Sequence, residues 1–429
     1  MKKRRRSRLS VGTIVMLVLT ACVLAATAAF LFLIAGDGVY ERAYAAFNLL
    51  AETQKPTDVP SSEPTIKPLD TLAATAMLTA EPTAEPTPSP GLTTFTLAAA
   101  GTVYAPKAIR ESAQESGGHY DFLSVLNGIG DTLSAADLAI VTLETTTAGR
   151  EKGYGNYNTT PEILDALRAC GVDLVALATE RALDRGYDGL DLTLSELTSR
   201  SLAYAGVYPY SENGSATMMN INGVQVAVLA YSYGLSDEGK AQTKNDSRGV
   251  LALIDAQKMA QDITRARVDG ANVVIVLPHW GTKNRAETPE SVRVLANTLA
   301  QAGADVILGT HPNVAQGVER IHTVRSDGLT YETVVCYSLG CLLTDARSSE
   351  NTAGMAVNLT LVYDSNTRRA YPGEMKITPL YIASQRKDGK NVYRVVDAED
   401  EQALSKLTIA EQQAAAQAVL RVRQAVKGE

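Results

Sequence analysis

The sequence predicts an α/β domain, and three observations predict it. Apolar runs rich in β-branched residues recur along the chain, as TFTLAAAGT, DLAIVTLE, DLVALATE, NVVIVLPHW, DVILGTH and TVVCYSLG. Runs of this length bounded by turns fit buried strands. Helical patterns alternate with them at residues 160–170, 188–199, 256–268 and 287–302, and alternation of the two kinds of element is the mark of α/β architecture. The composition, 45% hydrophobic and 20% charged, is that of a globular chain able to bury a sizeable core.

Ahead of the domain lies a different kind of sequence. Residues 1–10 (MKKRRRSRLS) are strongly basic, and residues 11–36 carry no charge. At 1.5 Å per residue that stretch extends about 39 Å, enough to cross a hydrocarbon core of about 30 Å with some tilt. Basic residues before it, with Asp37 and Glu41 after it, place the N-terminus in the cytoplasm and the remainder outside. The apolar run is longer than the core of a cleaved signal peptide. Leu19-Thr20-Ala21-Cys22 resembles a lipoprotein cleavage box, but the sequence after it stays apolar. An uncleaved helix, a cleaved leader and a lipidated Cys22 all leave the domain extracytoplasmic. Residues 37–93 turn rich in Pro, Thr, Glu and Ser (KPTDVPSSEPTIKP, AEPTAEPTPSPG) and read as a disordered, extended stalk.

The domain is expected over residues 94–385, followed by a polar segment and a C-terminal helix over 386–429. A net charge of −7 argues against a nucleic-acid partner, which requires a clustered basic surface. The four cysteines, Cys22, Cys170, Cys336 and Cys341, form no CxxC pair and suggest no disulfide framework. In the tail, Thr408 and Glu411 stand at capping-box spacing before an Ala-rich run to about Lys427. Leu407, Ile409, Val419, Leu420 and Val422 give that helix an apolar face, for docking on the domain or on a partner.

In open α/β sheets ligands collect beyond the carboxyl ends of strands. Glu144, Glu180, His279 and His311 each end such a run, and the last two are half of the four histidines in the chain. One such residue alone is most often a surface or capping group. Two carboxylates and two imidazoles together are a chemically sensible donor set for a first-row divalent ion.

The same residues carry a resemblance. ADLAIVTLET (136–145), TTPEILDALRACGVDLVALATERALDRGYDGLDLTLSEL (159–197), LPHWGT (277–282), QAGADVILGTHPNVAQGVE (301–319) and YSLGC (337–341) occur in the order of motifs in the CapA-like capsule and poly-γ-glutamate synthesis proteins. The chain resembles that family over roughly residues 94–381. The resemblance implies a layered sandwich of the calcineurin-like metallophosphoesterase type. It also implies a role in making a cell-surface polymer, with that polymer or membrane proteins of polymer synthesis as partners.

Departures from the family pattern are as informative. Thr102 follows Gly101 where the family has Asp; Thr179-Glu180-Arg181 replaces Asn-Asn-His; Asn313 replaces the last His of Gly-x-His-Pro-His; and Cys341 replaces a final Asn. The family's relatives use two metals to activate water and clamp phosphoryl oxygens. Thr102 removes an anionic ligand, and the guanidinium of Arg181 cannot coordinate a metal. The expectation is an impaired or lost hydrolase with one divalent ion (Mn or Zn) held by Glu144, Glu180, His279 and His311, or none. Arg181 is expected to pair with Glu180, to take a phosphate or carboxylate bidentately, or to stand in solvent.

Overall fold

The computed structural model describes residues 91–208, 216–244, 250–325, 327–387 and 389–427. The expected basic segment, membrane helix and nearly all of the stalk lie outside these residues. Among the described residues no helix is long and apolar enough to cross a membrane.

Two sheets make the frame. The first contains β1 (Leu92–Val103), β2 (Leu138–Leu143), β3 (Leu174–Ala176) and β4 (Ala203–Ala205), which run parallel in that order. The second contains β5 (Thr217–Ile221), β6 (Val224–Ser232), β7 (Val273–His279), β8 (Val306–Leu308), β9 (Val318–Val324) and β10 (Thr330–Cys336), in the order β5-β6-β7-β8-β10-β9. Its four central strands are parallel and its two edges antiparallel. β11 (Cys341–Leu343) returns to the first sheet beside β1, and β12 (Ala353–Asp364), β13 (Arg369–Lys387) and β14 (Lys390–Asp397) extend that sheet antiparallel. Residues 386–397, polar in the sequence, are therefore the end of β13 and an edge strand, so the sheet continues past the expected boundary at 385.

The alternation of side chains sorts the core into layers. Phe95, Leu97, Leu138 and Ile140 of the first sheet face Val226, Val228, Val273 and Ile275 of the second. On the other side of the first sheet, Ala98, Ala139, Val141 and Val175 pack on Ile109, Leu126, Ile163 and Leu167 from helices. The far side of the second sheet, Leu229, Val274, Val276 and Ile307, packs on Met259, Ile263, Ala296 and Leu299. The result is a helix–sheet–sheet–helix sandwich, with strands apolar on both faces because both faces are covered. Each fully buried Val, Leu or Ile adds about 1.5–3 kcal/mol.

The predicted helices form as Glu162–Ala169, Gly186–Ser199, Ala256–Val268 and Glu290–Ala302. Cys170, Cys336 and Cys341 are buried free thiols. The tail helix runs Ile409–Lys427 and docks on the first sheet through Ala415, Ala418 and Val422. Two of its expected apolar contacts fail: Ile409 is 75% and Leu420 55% exposed. Glu411 Oε1 accepts the Ser384 N–H at 3.1 Å and Oε2 bonds the Tyr381 hydroxyl, fixing the helix to β13 instead of closing a reciprocal box with Thr408.

Candidate functional site

Both sets of parallel strands deliver their carboxyl ends to one place. Glu144 follows β2, and its N–H bonds the Val103 carbonyl at 3.0 Å. Glu180 lies four residues past β3 in the loop that follows it, His279 ends β7, and His311 lies three residues past β8. The loop after β8 is tight. A Cβ on Gly309 would stand 2.1 Å from the Tyr337 carbonyl and 2.4 Å from Trp280 Nε1, so only glycine fits. His311 (φ +96°) and Asn313 (φ +61°) are left-handed, and strain of that kind concentrates at functional sites.

The four sequence-predicted ligands do meet. His311 Nδ1 and His279 Nε2 share a hydrogen bond at 3.2 Å, and His279 Nε2 stands 3.9 Å from Glu144 Oε2. Thr310 Oγ1 holds the other nitrogen of His279 at 3.1 Å. Between the two carboxylates sits a residue the sequence reading missed. Lys283 Nζ is 2.6 Å from Glu180 Oε1 and 3.8 Å from Glu144 Oε1. Arg181 pairs with Glu180 at 3.1 Å and Asp184 at 3.4 Å, and its guanidinium lies 3.8 Å over the ring of Tyr157, which stacks on Tyr104. Tyr233, at the end of β6, donates its hydroxyl to Glu180 and packs its ring 4.4 Å from His311.

Burial orders these charges. The side chains of Glu144 and Glu180 are 4% and 6% exposed, whereas Arg181 is 19% and Lys283 34% exposed. The floor is acidic and the rim basic. Burial, with Glu180 nearby, pushes Glu144 up to about 7 against the pull of Lys283 and Arg181. Burial also acts on Glu180, but its bonds from Lys283 and Tyr233 and the charges of Lys283 and Arg181 together win and hold it low. Burial pushes His279 well below its ordinary value and His311 down to about 4, so both rings are neutral near pH 7.

The fit to a metal ion can be judged from the donors. Glu144 Oε2 and Asn313 Oδ1 are buried without hydrogen-bond partners, as a small ion or water would need. The other donors are engaged: the imidazoles with each other, and Glu180 with Lys283, Arg181 and Tyr233. Among the described residues no three His, Cys, Asp or Glu side chains are placed to hold a metal. The donors as arranged fit the ammonium of Lys283 and not a dication. Thr102, like Asn313, carries a buried side-chain oxygen with no hydrogen-bond partner. The Asn313 backbone carbonyl accepts from Asn351 Nδ2 at 3.0 Å.

Lys283 stands one residue beyond the end of the LPHWGT motif, where reading onward along the loop would have reached it. Tyr233 directly follows the apolar run VQVAVLAYS (β6), which obeys the same strand-tip rule as the others.

Residues 96–346 match the family described as bacterial capsule synthesis protein PGA_cap. The chain is similar to the PGA biosynthesis protein CapA of Bacillus subtilis, 28% identical over 53% of this chain and 55% of that protein. It is also similar to the capsule biosynthesis protein CapA of Bacillus anthracis, 27% identical over 43% of each. The chain thus spans about half the length of the curated relatives it matches. Among solved structures it is similar to the calcineurin-like phosphoesterase YfkN from Bacillus subtilis, at 12% identity and a TM-score of 0.38 over 78% of this chain and 97% of that one. A phosphatase from Mycoplasma pneumoniae is similar at 12% identity and a TM-score of 0.38, over 67% of this chain and 94% of that one. These two likenesses concern the fold alone.

Proposed function

Because the chain belongs to the bacterial capsule synthesis protein family PGA_cap, we propose that it is a CapA-like protein of capsule or poly-γ-glutamate biosynthesis whose strand-tip site binds an anionic polymer segment without a metal. Anchored through residues 11–36, it acts outside the cytoplasm, where such a polymer and its membrane-bound synthesis proteins are at hand. The basic N-terminus followed by a long uncharged run supports that placement.

The observation that carries the reading is Lys283. Its ammonium occupies the space between Glu144 and Glu180 and supplies the positive charge that would otherwise come from an ion. The carboxylates lie beneath, so an approaching ligand meets Lys283 and Arg181 first, with Tyr157 and Tyr104 as a flat wall beside them. Two fixed cations next to stacked rings suit a chain that repeats a carboxylate at short intervals.

Elemental analysis of the purified, unchelated protein and calorimetric titration with an oligo-γ-glutamate test this together. The expected result is less than one equivalent of transition metal per chain, with binding that Arg181→Ala weakens about tenfold. Two equivalents of metal accompanied by phosphodiester turnover would overturn it.

A hydrolase is the second reading, and Glu144 is the observation that favours it. A buried carboxyl titrating at about 7 beside a neutral imidazole is suited to moving a proton near neutral pH. In the single-metal version of that reading Lys283 must first leave Glu180. Turnover of a generic phosphodiester that disappears in Glu144→Gln and survives chelation would support the metal-free version.

A further inference from the structure

At the opposite end of the second sheet the strands begin instead of ending, and another cationic site lies there. A cavity of about 590 Å³ is lined by Arg267, Arg325, Arg368 and Arg369 with Asp305 and Tyr331. These residues come from separate elements: the end of the helix Ala256–Val268, the loop after β9, the β12–β13 turn and the starts of β8, β10 and β13. One guanidinium is committed. Arg267 bonds buried Asp305 at 2.5 Å and the carbonyls of Asn272 and Gly303 at 2.6 and 2.9 Å. The other three have no carboxylate at close hydrogen-bond distance, although Arg325 donates to the Ala304 carbonyl at 3.1 Å and Arg369 to the Thr330 carbonyl. Arg325 approaches Asp305 only at 3.8 Å. Tyr331 is held between Arg325 and Arg369, whose guanidinium carbons lie 4.0 and 4.4 Å from its ring centroid. Its hydroxyl bonds the exposed Asp327 at 2.5 Å. Arg368, exposed in the turn at φ +55°, makes no hydrogen bond or ion pair to any described residue.

Like charges gathered without enough counter-charge raise one another's energy unless an anion joins them. Here four guanidiniums line a cavity with one lining carboxylate, Asp305, in a chain whose net charge is −7. Asp327 lies on the Tyr331 hydroxyl, and Asp364 stands opposite Arg369 in the β12–β13 ladder. The ring of Tyr331 spaces two of them rigidly, and a fixed guanidinium loses less freedom on binding than a mobile one. We propose that this cavity is a second binding site, for an anion that presents several carboxylate or phosphate oxygens. It is separate from the strand-tip site and does not depend on what that site does.

The test is calorimetric titration of the full chain with hexaglutamate and, separately, with inorganic pyrophosphate, so that the two arms tell a carboxylate source from a phosphate source. At least one probe is expected to bind, more weakly at higher salt. Arg368→Asn combined with Arg369→Gln, measured in an Arg181→Ala background so that the strand-tip site contributes little, is expected to weaken it about tenfold or more. Arg368→Asn alone, at an exposed turn where asparagine tolerates positive φ, guards against misfolding of the double variant and should give part of the loss. Binding of neither probe would overturn the proposal. So would binding lost in Arg181→Ala but unchanged in the Arg368 and Arg369 variants.

Discussion

The two ends of the same strands handle positive charge in opposite ways. At the carboxyl ends, Lys283 and Arg181 lie over buried carboxylates, and each has a partner at about hydrogen-bond distance. At the amino ends only Arg267 is matched in this way, to Asp305, while Arg325 and Arg369 lie against one tyrosine and Arg368 stands exposed in the neighbouring turn. The first arrangement ties charge to folding, because removing a cation leaves an anion stranded in the interior. The second ties little charge to folding and leaves more of it for a ligand. A cation count along the sequence cannot tell these apart. The depth of the counter-charge can.

The largest expected effect breaks the first arrangement. Lys283→Met leaves Glu180 and Glu144 under Arg181 alone, and uncompensated buried charge of this kind costs about 3–5 kcal/mol. Chemical denaturation should register that loss, and Lys283→Met with Glu180→Gln should recover part of it, because the two residues share one interaction. A loss below about 1 kcal/mol would mean that the ammonium does not hold these carboxylates.

Next in size are two pH effects that mask each other. Glu144 has a folded value of about 7 against an ordinary 4.5. A carboxyl raised in this way contributes stability below its unfolded value that is lost as pH rises through 7. His311, lowered from 6.5 to about 4, works in the other direction. Its contribution is complete above 6.5 and is lost as pH falls through 4. The windows overlap, and His279, also held low by burial, adds to the histidine side, so Glu144 should flatten but not cancel the fall in stability toward acid between pH 4.5 and 6.5. Glu144→Gln should uncover the histidine slope, with stability falling toward acid. It should also gain on the order of 2–3 kcal/mol relative to the parent above pH 7. His311→Asn, which keeps a residue tolerant of positive φ, should flatten the fall toward acid further, because Glu144 is then opposed by His279 alone. Melting temperatures across this range measure both. Identical profiles for the parent and both variants would remove either group from the balance.

Much of the first region was legible because strand tips are a one-dimensional signal. An apolar run stops at a polar residue, and Glu144, His279 and His311 are found by that rule alone. The pairing of Arg181 with Glu180 was legible as one of three roles for Arg181, since adjacent opposite charges need no tertiary information. Lys283 was not legible in that way, because nothing in the loop after β7 says that its side chain turns back between carboxylates that follow β2 and β3. The amino-end cavity was less legible still. Arg325, Arg368 and Arg369 belong to the turns around β9, β10, β12 and β13, and Arg368-Arg369 reads locally as an ordinary basic turn. Only the packing of the two sheets brings those turns together. Expected apolar contacts in the tail failed for a related reason: Ile409 and Leu420 follow the helical count, but the helix faces the sheet with its small residues, Ala415 and Ala418.

The smallest expected effect on stability sharpens the comparison most. Arg368→Asn removes a full charge from the amino-end cavity, yet no carboxylate depends on Arg368, so stability should move by less than about 0.5 kcal/mol. Any change should be toward greater stability at low salt, because the substitution relieves repulsion from Arg369 and Arg325, and it should fade as salt screens the cluster. Thermal melts at two ionic strengths measure this. A clear loss of stability would show that Arg368 is held by the fold after all, and the amino end would then resemble the carboxyl end in binding its cations to buried structure.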